Sequence, residues 1–409
     1  MPISGVWMWP QSVSQYGANK VVKRCVLAGI TDIFFLTKGL AGTASYSSAI
    51  APHCSEHDLL SQLLRAAHAH GVRVHAWLTS ASDEHYKSLY PNSGRCHYTR
   101  GKDKDLISLA DPGYLAYMEQ IVRELCREYA IDGLHMDYIR YNHLLYGWSE
   151  DDQARYAASG ADVSHLRQLM DQTFLSSQHE HAQCILDAYR AGDQSTLALA
   201  RTRRHDVLSF ASTLTHCARA ENSRLILSAA LMPEGAYADT AFADLHYGQS
   251  YADAALLYDY VLPMAYSKAY GQDSVWVRSV AEGTLKHGLQ TVMGLHAYDG
   301  GTGPSLAADL SSLAQTKISG TCLFRYGAFA LGVADGSTLR IVNTLDQAIT
   351  SILTEGGKQL LPTGKRMEPG SEEVFPLSVS ALPLRIFCGQ SEACIYIAHQ
   401  HEYTNTKQR

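Results

Sequence analysis

Apolar positions along the chain follow two alternating spacings. Short apolar runs, rich in β-branched and aromatic residues, read as buried strands. They are Gly5-Val6-Trp7-Met8-Trp9-Pro10, 32–38, 72–79, 130–142, 224–231, 259–266, 291–296 and 320–326. Between them, apolar residues three and four apart mark amphipathic helices. One covers 19–28 through Val21, Val22, Cys25 and Val26, and another runs from about 55 to 70 through Leu59, Leu60, Leu63, Leu64 and Ala67. A third follows Asp111-Pro112, an N-cap with proline in the first turn, and carries Leu115, Met118, Val122, Leu125 and Tyr129. A fourth lies around 275–287. Gly29, Gly71 and Gly288 stand where helices should close.

Eight strands alternating with helices predict an α/β fold of the (β/α)8 TIM-barrel type. A doubly wound sheet would need a glycine-rich phosphate turn after the first strand, and the sequence has none there. Residues 143–222 break the rhythm. They are polar, rich in His and Gln, and read as helices inserted after strand four. The run 338–353 reads as the eighth helix. The expected division is therefore a barrel over 1–355 containing the 143–222 insertion, then a small appendage over 356–409. In the appendage, 376–379 and 393–398 look extended, and the last few residues should be loose.

Composition narrows the function classes. A net charge of −6 argues against nucleic acid as a partner. No apolar run is long enough to span a bilayer. Nine cysteines, odd in number, scattered and without a Cys-x-x-Cys pair, suggest reduced thiols rather than disulfides or zinc ligands. As written, with Met1 running almost directly into the first strand, the expected compartment is the cytoplasm. A trimmed leader would make it a secreted protein. Twenty-four tyrosines against nine phenylalanines supply flat rings with polar edges, which suit sugars as well as half-buried positions.

Barrel chemistry lies at the C-terminal strand ends. Read in turn, those ends offer Trp9, Lys38, Trp77, then Asp137, Arg140 and Tyr141, then Glu234, Tyr266, His296, Asp299 and Arg325. The set holds no Ser-His-Asp arrangement, no His-x-His pair for a metal and no Walker-type loop, so neither metal nor cofactor is expected. Aromatic walls with paired carboxylates suit a carbohydrate. Strand alternation puts Gly133, His135 and Asp137 on one face, with Leu134, Met136 and Tyr138 on the other. Asp137 is the first catalytic candidate; capping the loop or pairing with Arg140 is its plainer role. Glu234 shares the inward parity of Ser228, Ala230 and Met232 and is the second candidate, against a solvated loop glutamate. Asp132 reads as a turn residue at the far end of strand four, and His135 as a core histidine beneath Asp137.

The stretch Ile131-Asp132-Gly133-Leu134-His135-Met136-Asp137-Tyr138-Ile139-Arg140-Tyr141 closely resembles the Asp-Gly-Ile-His-x-Asp-Tyr-x-Arg-Tyr signature of the bacterial glycosyl-hydrolase-like family-ten proteins. Val74-His75-Ala76-Trp77-Leu78 and Gly5-Val6-Trp7 resemble that family's third-strand and opening motifs. The resemblance covers residues 5–142 well and the later strands loosely. It departs at Asn142, where relatives often carry proline, and at the insertion. It implies a glycoside hydrolase on a (β/α)8 barrel, with Asp137 in the catalytic position. The expected function is cleavage of a glycosidic bond in an oligo- or polysaccharide by Asp137 and Glu234. Trp9, Lys38, Trp77, Arg140, Tyr141, Tyr266, His296, Asp299 and Arg325 would contact the substrate. A carbohydrate-binding barrel without turnover is the alternative.

Overall fold

The structure is a computed structural model and describes residues 2–335, 337–376 and 382–399. Eight parallel strands close into a barrel. They are β1 (Ile3–Met8), β2 (Asp32–Lys38), β3 (Arg73–Thr79), β4 (Gly133–Asp137), β5 (Ile226–Leu231), β6 (Tyr260–Ala265), β7 (Val292–His296) and β8 (Gly320–Phe324). Each pairs with its neighbours in sequence, and β8 returns to β1 through Ile3 opposite Gly320. The (β/α)8 expectation holds.

Alternation along the strands sorts side chains into two layers. Outward residues such as Leu134 and Met136 join the large core beneath the helices, with Leu60, Leu63, Ile121, Val122 and Leu125. Inward residues fill the barrel: Trp7, Phe34, Trp77, Leu262, Val292 and Cys322. Polar groups inside must be hydrogen-bonded. Trp7 Nε1 donates to His135 Nε2 at 3.1 Å, so the other ring nitrogen carries the proton and donates to Ser228 Oγ at 2.9 Å. Burial holds the His135 pKa well below its usual value, so this pillar beneath Asp137 stays neutral. Gly133 is required here: a Cβ on it would lie 2.1 Å from His75 Nδ1. At the opposite end of β4, Asp132 accepts from Val74 N at 2.8 Å and meets His68 at 2.9 Å, a structural place as expected.

Two boundaries differ from the sequence reading. The helices Glu150–Ala158, Val163–Leu175 and Cys184–Arg190 form an addition after β4. The fourth helix within 143–222, the 28-residue Gln194–Glu221, belongs only half to it. Its first turns bring Ala198 and Leu199 to a small core with Leu144, Trp148, Tyr156, Leu166 and Ile185. Its later turns place Val207, Phe210, Ala211, Leu214 and Ala218 in the barrel core, beside the helix Pro112–Glu128. Their spacing of three and four is that of a barrel helix hidden in a polar stretch.

The second correction concerns the C-terminal region. No helix spans 338–353. The chain instead enters a six-stranded sheet at Phe329, well before 356. Its strands are β9 (Phe329–Asp335), β10 (Thr338–Val342), β11 (Ser351–Thr354), β12 (Glu372–Pro376), β13 (Leu384–Cys388) and β14 (Ser391–His399), in the order β11-β13-β14-β9-β10-β12. Along β10, Thr338 and Arg340 are exposed while Leu339 and Ile341 are buried, a period of two rather than 3.6. Phe329, Leu331, Val342 and Cys394 pack into the barrel core, and β13 and β14 lie on the helix Gly303–Leu313. The sheet thus occupies the station where an eighth helix would sit. The extended run at 393–398 falls within β14. Of the run at 376–379, only Pro376 is within the described residues, and the terminal residues expected to be loose lie outside them.

The barrel floor is held by charge. Asp32 is fully buried and meets Arg73 at 2.8 and 2.9 Å and His75 at 2.8 Å. Burial alone would raise its pKa. The His75 and Arg73 contacts, with Thr31, outweigh it and bring the value from 3.8 to about 2. That gap is worth about 2 kcal/mol, present above the unfolded value and lost as pH falls through the folded one. In urea unfolding, Asp32→Asn should therefore cost about 2 kcal/mol at neutral pH, and the deficit should shrink between about pH 4 and pH 2. A deficit that does not change with pH would contradict this.

Candidate active site

β4 delivers Asp137 opposite Thr79 of β3, at the C-terminal mouth of the barrel. The next residue, Tyr138, has a φ of +58°, the left-handed region that non-glycine residues enter at a cost of about 1–3 kcal/mol. The turn brings Tyr138 N onto Asp137 Oδ1 at 2.7 Å. Arg140 Nη1 also donates to Oδ1, at 3.2 Å, and Trp77 Nε1 donates to Oδ2 at 3.2 Å. Tyr138 does not join the outer layer its parity predicts; its ring lies under the Arg140 guanidinium at 4.6 Å. Asp137 is only 6% exposed, and both of its oxygens accept hydrogen bonds.

Glu234 sits in the short 3-10 turn Pro233–Ala236 after β5 and is 9% exposed. Tyr247 and Tyr270 hydroxyls donate to its Oε1, each at 3.3 Å. Burial raises its pKa; the hydrogen bonds and the charge of Arg140 oppose this without cancelling it. Arg140 thus acts on both carboxylates, through direct contact with Asp137 and through its field at Glu234.

Gln249 ties the two carboxylate loops together. Its Nε2 donates to Ile139 O at 3.0 Å, and its Oε1 accepts from Met232 N at 3.0 Å. Tyr141 N donates to Tyr247 O at 2.9 Å alongside.

The other candidates divide into those at the mouth and those elsewhere. Tyr266 is half-buried and stays a neutral phenol, because burial and then the Asp137 charge push its pKa well up. His296 is buried; its Nε2 donates to Asp299 O at 2.9 Å, and its ring stacks on Tyr298 at 4.1 Å. Arg325 lies over the Trp9 ring at 3.4 Å, and Asp299 is exposed beside them. Trp77 is buried and serves Asp137 rather than presenting an open platform.

Lys38 and Tyr141 do not reach the mouth. A bulge in β2 between Leu36 and Lys38 sets Lys38 opposite the outward-facing Leu78. Its ammonium is buried on Asp83 at 2.9 Å and bonded to Ser82 O and Tyr114. The bulge reverses the parity that placed it inward. Tyr141 is also buried. Its hydroxyl donates to Asp206 at 2.6 Å, and Arg95 and Arg203 cover its ring at 4.8 and 4.5 Å. Sequence reasoning missed Tyr247, Tyr270 and Gln249, which come from loops and not strand ends. The tyrosine excess was the one signal pointing to them. A cavity of about 710 Å³ lies outside the barrel wall beside Leu115, Arg155, His205 and Phe210. It holds none of the strand-end side chains, and Arg155 there is already paired with Asp206.

No family model matches the chain, and no curated protein matches it. Solved structures do. The glycoside hydrolase domain of PgaB (BpsB) from Bordetella bronchiseptica aligns over 79% of this chain and 94% of its own, with a TM-score of 0.60 and 15% identity. The catalytic domain of β-amylase from Paenibacillus polymyxa aligns over 79% of this chain and 92% of its own, with a TM-score of 0.56 and 10% identity. The β-galactosidase from Marinomonas ef1 aligns over 80% of this chain and 54% of its own, with a TM-score of 0.56 and 12% identity. At these identities the likeness establishes the fold, a (β/α)8 barrel shared with glycoside hydrolases. The family-ten resemblance rests on its motif residues.

The Gln249 brace makes its own demand. Gln249→Leu leaves a buried carbonyl and a buried amide without partners, and should lower stability in urea by about 1–3 kcal/mol. An unchanged midpoint would mean that the two loops are held by other contacts.

Proposed function

We propose that the protein is a glycoside hydrolase acting on an oligo- or polysaccharide, with Asp137 as nucleophile and Glu234 as general acid and base. One observation carries this reading: two carboxylates at the barrel mouth stand in opposed environments. Asp137 is met by three donors, a guanidinium, an indole N–H and a backbone N–H. Glu234 is desolvated among tyrosines, which favours its protonated form. Glycosidic cleavage needs that division, an acid to protonate the leaving oxygen and an anion facing the anomeric carbon. Asp137 attacks the anomeric carbon while Glu234 gives its proton to the departing oxygen. Glu234, now anionic, then takes a proton from water as that water displaces Asp137.

The barrels shared with known glycoside hydrolases support this reading, and so does the motif resemblance to family-ten proteins. Arg140 balances the charge between the two acids. Tyr266, His296, Arg325 and Trp9 supply rings and donors at the strand ends for sugar hydroxyls and faces.

The test is hydrolysis of a glycan panel. The wild-type protein should release product from at least one member. Asp137→Asn should remove turnover and keep binding. Glu234→Gln should cut kcat by roughly 10²–10⁴-fold. Glu234 must be protonated to act, so kcat/KM should fall as pH rises through its raised pKa, above the usual ~4.3, and this alkaline limb should vanish in Glu234→Gln. Retention of anomeric configuration by NMR fits a nucleophilic Asp137. Binding without product in the wild type would favour the non-catalytic barrel.

A further inference from the structure

A cavity of about 380 Å³ opens between the β7 and β8 mouth loops and the appended sheet. Tyr298, Asp299 and Arg325 line it from the barrel, Asp346 and Gln347 from the loop after β10, and Ser391 and Glu392, the latter paired with Arg385, from β14. Its size lies in the range of small-molecule sites, ~300–1,000 Å³. We propose that this cavity is a second sugar subsite, holding a neutral pyranose unit of the same chain whose scissile bond lies at Asp137. The proposal rests on the glycosidase reading for the position of that bond.

The uncommitted polar groups carry the argument. Arg325 is half-buried, yet among the described residues its guanidinium makes no hydrogen bond or ion pair and only lies against Trp9. A guanidinium has five N–H donors, and here no protein acceptor among the described residues takes them, so they are open to a ligand. Asp299 and Asp346 are near enough for their charges to act on Arg325, yet neither pairs with it. Donors therefore stand apart from acceptors in the same cavity. A sugar hydroxyl both donates and accepts, so one ring can satisfy both sets at once. An anionic unit would meet Asp299 and Asp346, and a cationic one would meet Arg325. Neutral hydroxyls fit both.

Ring contacts connect the cavity wall to the mouth. Tyr298, in its wall, stacks on His296 and meets Tyr266 edge-on at 5.7 Å, and Tyr266 lies in the field of Asp137. Behind that wall Phe324 lies 5.4 Å from Tyr298 and 6.2 Å from Trp77, which holds Asp137. This row of rings is a surface along which a second sugar unit can follow the first. It also gives the replacement of the eighth helix a consequence, because the sheet and its loops contribute half of the cavity.

The test uses the full chain carrying Asp137→Asn, so that bound sugar is not turned over. It is titrated calorimetrically with cellobiose, xylobiose, maltose and N,N′-diacetylchitobiose, and with the tetrasaccharide of each. At least one tetrasaccharide should bind roughly ten-fold more tightly than its disaccharide. Adding Asp346→Ala with Gln347→Ala, both exposed residues of the loop after β10, should bring that tetrasaccharide's affinity down to the disaccharide's. No binding by any tetrasaccharide, equal affinity for both lengths, or an undiminished advantage in the triple variant would overturn the subsite. The two readings fail separately. Length-dependent binding that the loop variants abolish, with no product from wild type, would keep the subsite and remove the glycosidase. Product formation without the length dependence would do the reverse.

Discussion

Asp137 is 6% exposed, and three donors take the place of the water its carboxylate has lost. The uncompensated penalty for burying such an ion is several kcal/mol. Each donor comes from a different constraint. Trp77 is placed by the inward parity of β3. The Tyr138 amide is placed by a left-handed turn that is itself costly. Arg140 is placed by the chain reversing after that turn. Below them, Trp7, His135 and Ser228 form a neutral pillar.

Glu234 is built by the opposite means. Its surroundings are phenols, burial is the largest influence on its proton, and Arg140, whose charge opposes that burial, is engaged by Asp137. Gln249 and the Tyr141–Tyr247 backbone bond hold the loops bearing the two acids to each other. The addition after β4 reinforces this. Its core includes Ala241 and Leu245, from the helix that leads into Tyr247. A polar stretch that interrupts the barrel rhythm therefore supports the residue that hydrogen-bonds Glu234.

Much of this was legible in the chain. Short apolar runs flanked by helices gave the eight strands, and strand ends with inward parity offered Asp137 and Glu234 as candidates. It failed where the backbone departs from ideal geometry. A bulge after Leu36 turned Lys38 to the outer layer, and a left-handed Tyr138 moved that ring beneath Arg140. It failed also where apolar residues were few. The barrel helix over 207–218 was lost among polar neighbours, and β10 and β11 were read as a helix because each strand is short. Tyr247, Tyr270 and Gln249 had no signal in strand parity, since loop side chains are placed by tertiary contacts that a single sequence does not display.

The most direct test is a crystal structure of the Asp137→Asn protein soaked with an oligosaccharide that it binds. The account requires a sugar ring at the barrel mouth, with its anomeric carbon facing the position 137 side chain and its glycosidic oxygen within hydrogen-bond reach of Glu234. A sugar lodged instead in the outer cavity beside Arg155 and Phe210, with the mouth empty, would contradict it.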